Sequence, residues 1–176
     1  MTFESMRKFF DLKSRNPSEM AAYASIPLEY WNPRPENGND CVVRSLAKAL
    51  GADYDETKSE LIAFQTETAL GYDYTEYQTY GSFLCVRKGY SMINAQACGT
   101  LDGYRFCKTF AEGVYVVRTE GHVYAVVDGC AYDAWNALGD EIVAFWRAPG
   151  KEEKKADLIG EAKFDAVWDP HIWNRR

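Results

Sequence analysis

Of the five cysteines and two histidines in this chain, one of each sits where nucleophilic chemistry is possible. Cys41 follows the turn-forming run Asn37-Gly38-Asn39-Asp40 and leads into Val42-Val43-Arg44-Ser45-Leu46-Ala47. His122 opens a later β-like run, and Asp133 lies in the next one. A thiol attacks a carbonyl carbon well only as the thiolate, which a nearby imidazole held in place by a carboxylate can generate. The candidate catalytic set is therefore Cys41 as nucleophile, His122 as general base and Asp133 as orienter.

Particular elements must bring these three together. Asp40 or Asn39 is a natural N-cap for a helix whose buried stripe reads Val42, Val43, Leu46, Ala47, Leu50, with Gly51 as its stop. Cys41 then falls in the first helical turn, where unpaired N–H groups and the helix dipole favour a thiolate. The same groups, with Asn37 or Asn39, are candidate oxyanion donors. Asp128-Gly129 fits a two-residue type I′ hairpin loop, which sets Val127 against Cys130, Val126 against Ala131, Tyr124 against Asp133 and His122 against Trp135.

In that register His122, Tyr124, Asp133 and Trp135 share a face, and Asp133 is diagonal to His122, within reach of its ring. Asn136 falls on the opposite face and is the second candidate for orienter, since a bulge would bring it round. Tyr124, Trp135, Asn136 and Trp31, the last in a proline-rich loop, are the substrate-cleft candidates. The bland alternative is that Cys41 is a small buried hydrophobe, as most helix cysteines are. Against it stands the placing of His122 at a strand start with an aspartate on its own face.

The rest of the chain suits an α+β domain. Helices are expected over 55–70, with Leu61, Ile62 and Phe64 inward and Gly71 closing it, and over 75–88, with Tyr80, Phe83, Leu84 and Arg87 at helical spacing. Beyond Asn94, runs at 114–118, 122–127, 130–135 and 142–146 are β-branched and aromatic, and they read as a four-strand antiparallel meander. Asp102-Gly103 reads as a turn. Residues 1–150 form the expected single domain, of which 1–36 wrap its surface and include a short amphipathic helix over 2–13. A charged linker and an aromatic tail with Phe164, Trp168, Trp173 and His171 occupy 151–176.

With 176 residues, 47% of them hydrophobic, one sizeable core is expected. The net charge of -6, with both signs interspersed, disfavours a nucleic-acid partner, and no apolar run is long enough to cross a bilayer. The odd number of cysteines (Cys41, Cys85, Cys98, Cys107, Cys130), none in a C-x-x-C pair, argues against a disulfide framework or a zinc knuckle and fits a reducing cytoplasm. No metal or cofactor is expected.

The runs Asn39-Asp40-Cys41-Val42-Val43-Arg44-Ser45-Leu46-Ala47, Gly113 through His122, and Val126-Val127-Asp128-Gly129 with Tyr132-Asp133-Ala134-Trp135 resemble small papain-like cysteine peptidases of tailed bacteriophages. The cysteine turn is also similar to that of ovarian-tumour-type deubiquitinases. The resemblance implies a papain-like fold, with the nucleophile Cys41 on a helix packed against an antiparallel sheet that carries His122 and Asp133. It also implies a protein or peptide substrate. The chain departs from the papain pattern in having Pro35 where a glutamine precedes the cysteine, and from the deubiquitinases in having Gly38 for an aspartate. The expected activity is that of a thiol peptidase or isopeptidase. Transfer of the acyl group to an amine, deamidation, and a scaffold that binds and blocks a host protein without turnover are the alternatives.

Overall fold

The computed structural model describes residues 26–95 and 101–150. The expectations for the helix over 2–13, for Cys98 and for the tail with its aromatic rings and His171 lie outside the described residues.

The fold is mixed α+β. A six-stranded sheet is built from β1 (Leu28–Tyr30), β2 (Ser91–Asn94), β3 (Val114–Thr119), β4 (His122–Val127), β5 (Cys130–Asp133) and β6 (Ile142–Arg147), in the order β1-β5-β4-β3-β6-β2. The described helices are α1 (Cys41–Leu50), α2 (Tyr54–Thr68), α3 (Tyr77–Ser82), which runs on into a π-helical turn at Phe83–Arg87, and α4 (Gly103–Thr109). None is long and apolar enough to cross a membrane.

Strand alternation divides the core between the two faces of the sheet. Val116, Val123, Ala125, Ala144 and Trp146 pack with Val42, Val43, Leu46, Leu61, Phe64 and Tyr80 from α1, α2 and α3. Tyr115, Val117, Tyr124, Val126 and Phe145 pack on the other side with Phe106 and Cys107 of α4, and with Phe110 and Leu138. The α1 stripe is as expected at Val42, Val43, Leu46 and Ala47, all buried, and Gly51 ends the helix at φ 62°. Ser45 Oγ donates to the Val123 carbonyl at 2.8 Å, which ties α1 to β4.

The hairpin register is as the sequence implies: Val127 pairs with Cys130 and Val126 with Ala131, around Asp128 and Gly129 at φ 47° and 73°. Both positive angles are those of a type I′ loop.

Several expectations give way. The four runs do not form a simple meander, because β6 crosses over to pair with β3. The free edge of β5 is taken by β1, which pairs in parallel and makes the sheet mixed. β5 also stops at Asp133 rather than at Trp135: Asp133 Oδ1 accepts the Ala134 N–H at 2.7 Å, which turns the chain out of the ladder.

In α2, Leu61 and Phe64 fill the buried stripe, whereas Ile62, one residue and 100° round, is 42% exposed. That helix is closed by Ala69 in the left-handed region at φ 46°, ahead of Gly71. Arg87 points outward and pairs with Glu67. Asp102-Gly103 is a helix start: Asp102 caps α4 by accepting the Arg105 N–H at 2.8 Å.

Candidate active site

Cys41 is the first residue of α1 and His122 the first of β4. α1 packs on the face bearing Val123 and Ala125, while the alternation rule puts His122 with Tyr124 on the other face. The two side chains meet at the end of the sheet, where an imidazole can reach past the strand terminus toward the helix start. Gly121, at φ 81°, makes the turn that begins β4 there.

The His122 ring joins the other two groups. Its Nε2–H donates to Asp133 Oδ2 at 2.6 Å, and the Cys41 thiol stands near enough to the ring that each group shifts the other's pKa, with Nδ1 the nitrogen left to face it. Burial by itself would lower the imidazole pKa. The hydrogen bonds to Asp133 and Cys41 and the charges of those partners outweigh it, and the pKa is pushed up to about 9.

For Cys41, burial alone would raise the thiol pKa. The hydrogen bond and charge of His122, a contact with the Val123 backbone and the charge of Arg44 override this, and the pKa falls below the ordinary thiol value. The described cysteines other than Cys41 are displaced the opposite way by burial, Cys107 to about 12. Between a lowered thiol and a raised imidazole lies a pH window in which the pair is thiolate and imidazolium.

Asp133 is buried and fully engaged: Oδ2 holds His122, and Oδ1 accepts both from the Ala134 N–H and from Arg44 Nη2 at 3.2 Å. The end of β5 is fixed further by the Trp31 N–H, which donates to the Asp133 carbonyl at 2.7 Å. Asp40 takes the N-cap position of α1, but its side chain makes no capping bond and instead accepts from Arg44 Nη1 at 2.5 Å.

A cleft of about 1000 Å³ opens over the thiol, walled by Asn32, Asn37, Asn39, Trp135 and Asn136 among others. A smaller one of about 200 Å³ lies on the other flank of Cys41 and His122, with Glu76, Tyr77, Tyr80 and Arg118 in its wall. The thiol and imidazole thus stand where two cavities meet. Trp135 covers His122, with ring centroids 4.2 Å apart, while remaining 45% exposed.

Comparison with models of protein families, with curated proteins and with solved structures gives no match. The chemistry of the site is therefore read from its geometry.

The oxyanion candidates Asn37 and Asn39 both wall the larger cleft with Cys41; Asn37 Nδ2 donates to the Tyr54 hydroxyl at 3.3 Å, and Asn39 is left-handed at φ 55°. Asn136 is held away from His122: its Nδ2 donates to the Tyr104 hydroxyl and its Oδ1 accepts the Leu138 N–H, each at 3.0 Å. Asp133, rather than Asn136, is therefore the hydrogen-bond partner of His122. Tyr124 lies outside the cleft, buried in the core on the α4 side. Trp31 supports β5 through its backbone, and its ring lies 4.6 Å from Lys48 Nζ rather than in the cleft wall.

Sequence reasoning overlooked Arg44 as a member of the site and the wall of the smaller cavity. The i,i+4 spacing of Asp40 and Arg44 was a usable signal for the first. Nothing local marks residues of α3 and β3 as neighbours of Cys41. No group of three or more His, Cys, Asp or Glu side chains among the described residues is arranged to hold a metal ion.

Proposed function

We propose that this protein is a thiol hydrolase, a peptidase or isopeptidase of papain-like arrangement, acting through Cys41, His122 and Asp133. Cys41 Sγ bonds to the substrate carbonyl carbon while the carbonyl electron pair moves to oxygen. Backbone N–H groups at the start of α1, with Asn37 or Asn39, stabilise that oxyanion. The C–N bond then breaks as the His122 imidazolium gives its proton to the leaving amine, which leaves an acyl-enzyme. Water, deprotonated by His122, attacks the thioester and releases the acid and the thiolate.

The observation that carries this reading is the His122 ring hydrogen-bonded to Asp133 and set, in the walls of the same two cavities, beside the one described cysteine whose thiol is pushed toward ionisation. The larger cleft, about 1000 Å³ and open to the surface beside the thiol, has room for a peptide segment.

The test is acylation by p-nitrophenyl acetate, an acyl donor that needs no substrate pocket. The expected result is one acetyl group on Cys41 by mass spectrometry, with continuing release of p-nitrophenol that Cys41→Ala abolishes and His122→Ala lowers at least tenfold. Acetylation spread over several cysteines, with release unchanged in Cys41→Ala, would overturn the proposal.

A further inference from the structure

Arg44 is a buried cation between two buried carboxylates, 3% exposed, with Asp40 on one arm of its fork and Asp133 on the other. Its guanidinium carbon also lies 5.5 Å from the centre of the Trp135 ring, which itself covers His122. Asp40 sits at the start of the nucleophile helix and Asp133 at the end of the strand that orients the base. One side chain of the nucleophile helix therefore ties the start of that helix to the end of the strand that holds the carboxylate.

A planar fork fits this task because it makes two directed bonds at a fixed spacing. Tyr54 lies near enough to Asp40 to feel its charge, and its hydroxyl accepts a hydrogen bond from Asn37 in the turn before the helix. A chain of hydrogen bonds thus runs from Asp40 at the start of α1, through Arg44 and Asp133, to His122. Removing one member of a buried set like this leaves an unpaired charge, which destabilises more than removing the pair together.

We propose that Arg44 is a positioning residue, a two-armed clamp that fixes Asp133 against the nucleophile helix so that His122 stays within reach of the Cys41 thiol. The inference rests on the hydrolase reading but concerns a residue outside the triad. Asp133 alone has rotational freedom about its side-chain bonds. With Oδ1 held by Arg44 Nη2 and the Ala134 N–H, Oδ2 can face only the imidazole. The Arg44 charge also favours the thiolate directly.

The test is the pH profile of Cys41 alkylation by iodoacetamide in two variants, each checked for folding by circular dichroism. The double variant Asp40→Asn with Arg44→Met removes the clamp together with the carboxylate it would strand. It is expected to fold and to show a Cys41 apparent pKa raised by about one unit, with roughly tenfold slower alkylation below it. Arg44→Lys keeps the charge but cannot span both carboxylates, and an upward shift of about half that size is expected.

The groups that face Cys41 and could also shape the profile are His122 on β4, Tyr80 on α3, and Glu76, Tyr77 and Arg118 in the wall of the smaller cavity; all are unchanged in both variants. A wild-type profile in the folded double variant, or in Arg44→Lys should the double variant not fold, overturns the clamp. His122→Ala run alongside separates the two ideas. If it too leaves the profile unchanged, the thiol–imidazole pair itself is absent; if it abolishes the low pKa while the clamp variants do not, only the clamp fails.

Discussion

The Asp133 carboxylate decides what His122 can do. Burial pushes an imidazole toward its neutral form, and only the hydrogen bonds and charges of Asp133 and Cys41 reverse that and carry its pKa to about 9. In Asp133→Asn the carboxylate charge is lost while the side-chain size is kept. The His122 titration should then move down from about 9, toward and below the ordinary histidine value. The chain holds two histidines, so the imidazole proton resonances are assigned by comparison with His122→Ala and followed by NMR against pH. An unmoved His122 titration in Asp133→Asn would remove the orienter from the account. The sign also fixes a stability trend. A raised imidazole pKa contributes stability that is fully present below about 6.5 and lost as pH rises through about 9.

The helices and strands place these side chains through close approaches that small residues permit. Gly103 opens α4 directly beneath the crossover to β6, and a Cβ there would lie 2.6 Å from Leu138 Cδ2 and 2.8 Å from its Cα. The backbone of Leu138 cannot swing aside as a side-chain end can, so Gly103→Ala should destabilise the fold by about 1–3 kcal/mol. Urea unfolding measures this, and unchanged stability would contradict the packing described. α4 is also the element the sequence hid. Asp102-Gly103 reads equally well as a turn or as a cap with a small first residue, and only the tertiary crowding at Leu138 separates the two. By contrast, α1 and the β4–β5 hairpin were legible, because a capped apolar stripe and an Asp-Gly loop are local signals. The crossover of β6 and the parallel pairing of β1 were not, since both depend on which sheet edges are left free.

Taken whole, the molecule is a sheet with helices on both faces and its candidate chemistry at one end. That position explains how a thiol on the α1 side meets an imidazole whose strand parity belongs to the other side. The candidate triad was legible because its acid and base lie on one hairpin with a definite register. Arg44 was missed because a basic residue in an apolar helix reads as a solvated face until the partner carboxylate, distant in sequence, is seen beside it. The cleft walls drew on loops whose paths no periodicity encodes, so Asn32 went unremarked while Tyr124, on the expected face, proved to be core. The claim on which all of this turns is that Cys41 and His122 form an ion pair. Alkylation by iodoacetamide, followed residue by residue with mass spectrometry from pH 4 to 10 in wild type and His122→Ala, tests it most directly. The account predicts that Cys41 reacts well ahead of Cys85, Cys107 and Cys130 near neutral pH, with an apparent pKa below that of a free thiol, and that His122→Ala removes this advantage. A Cys41 that titrates like an ordinary thiol, or identically in both proteins, would contradict it.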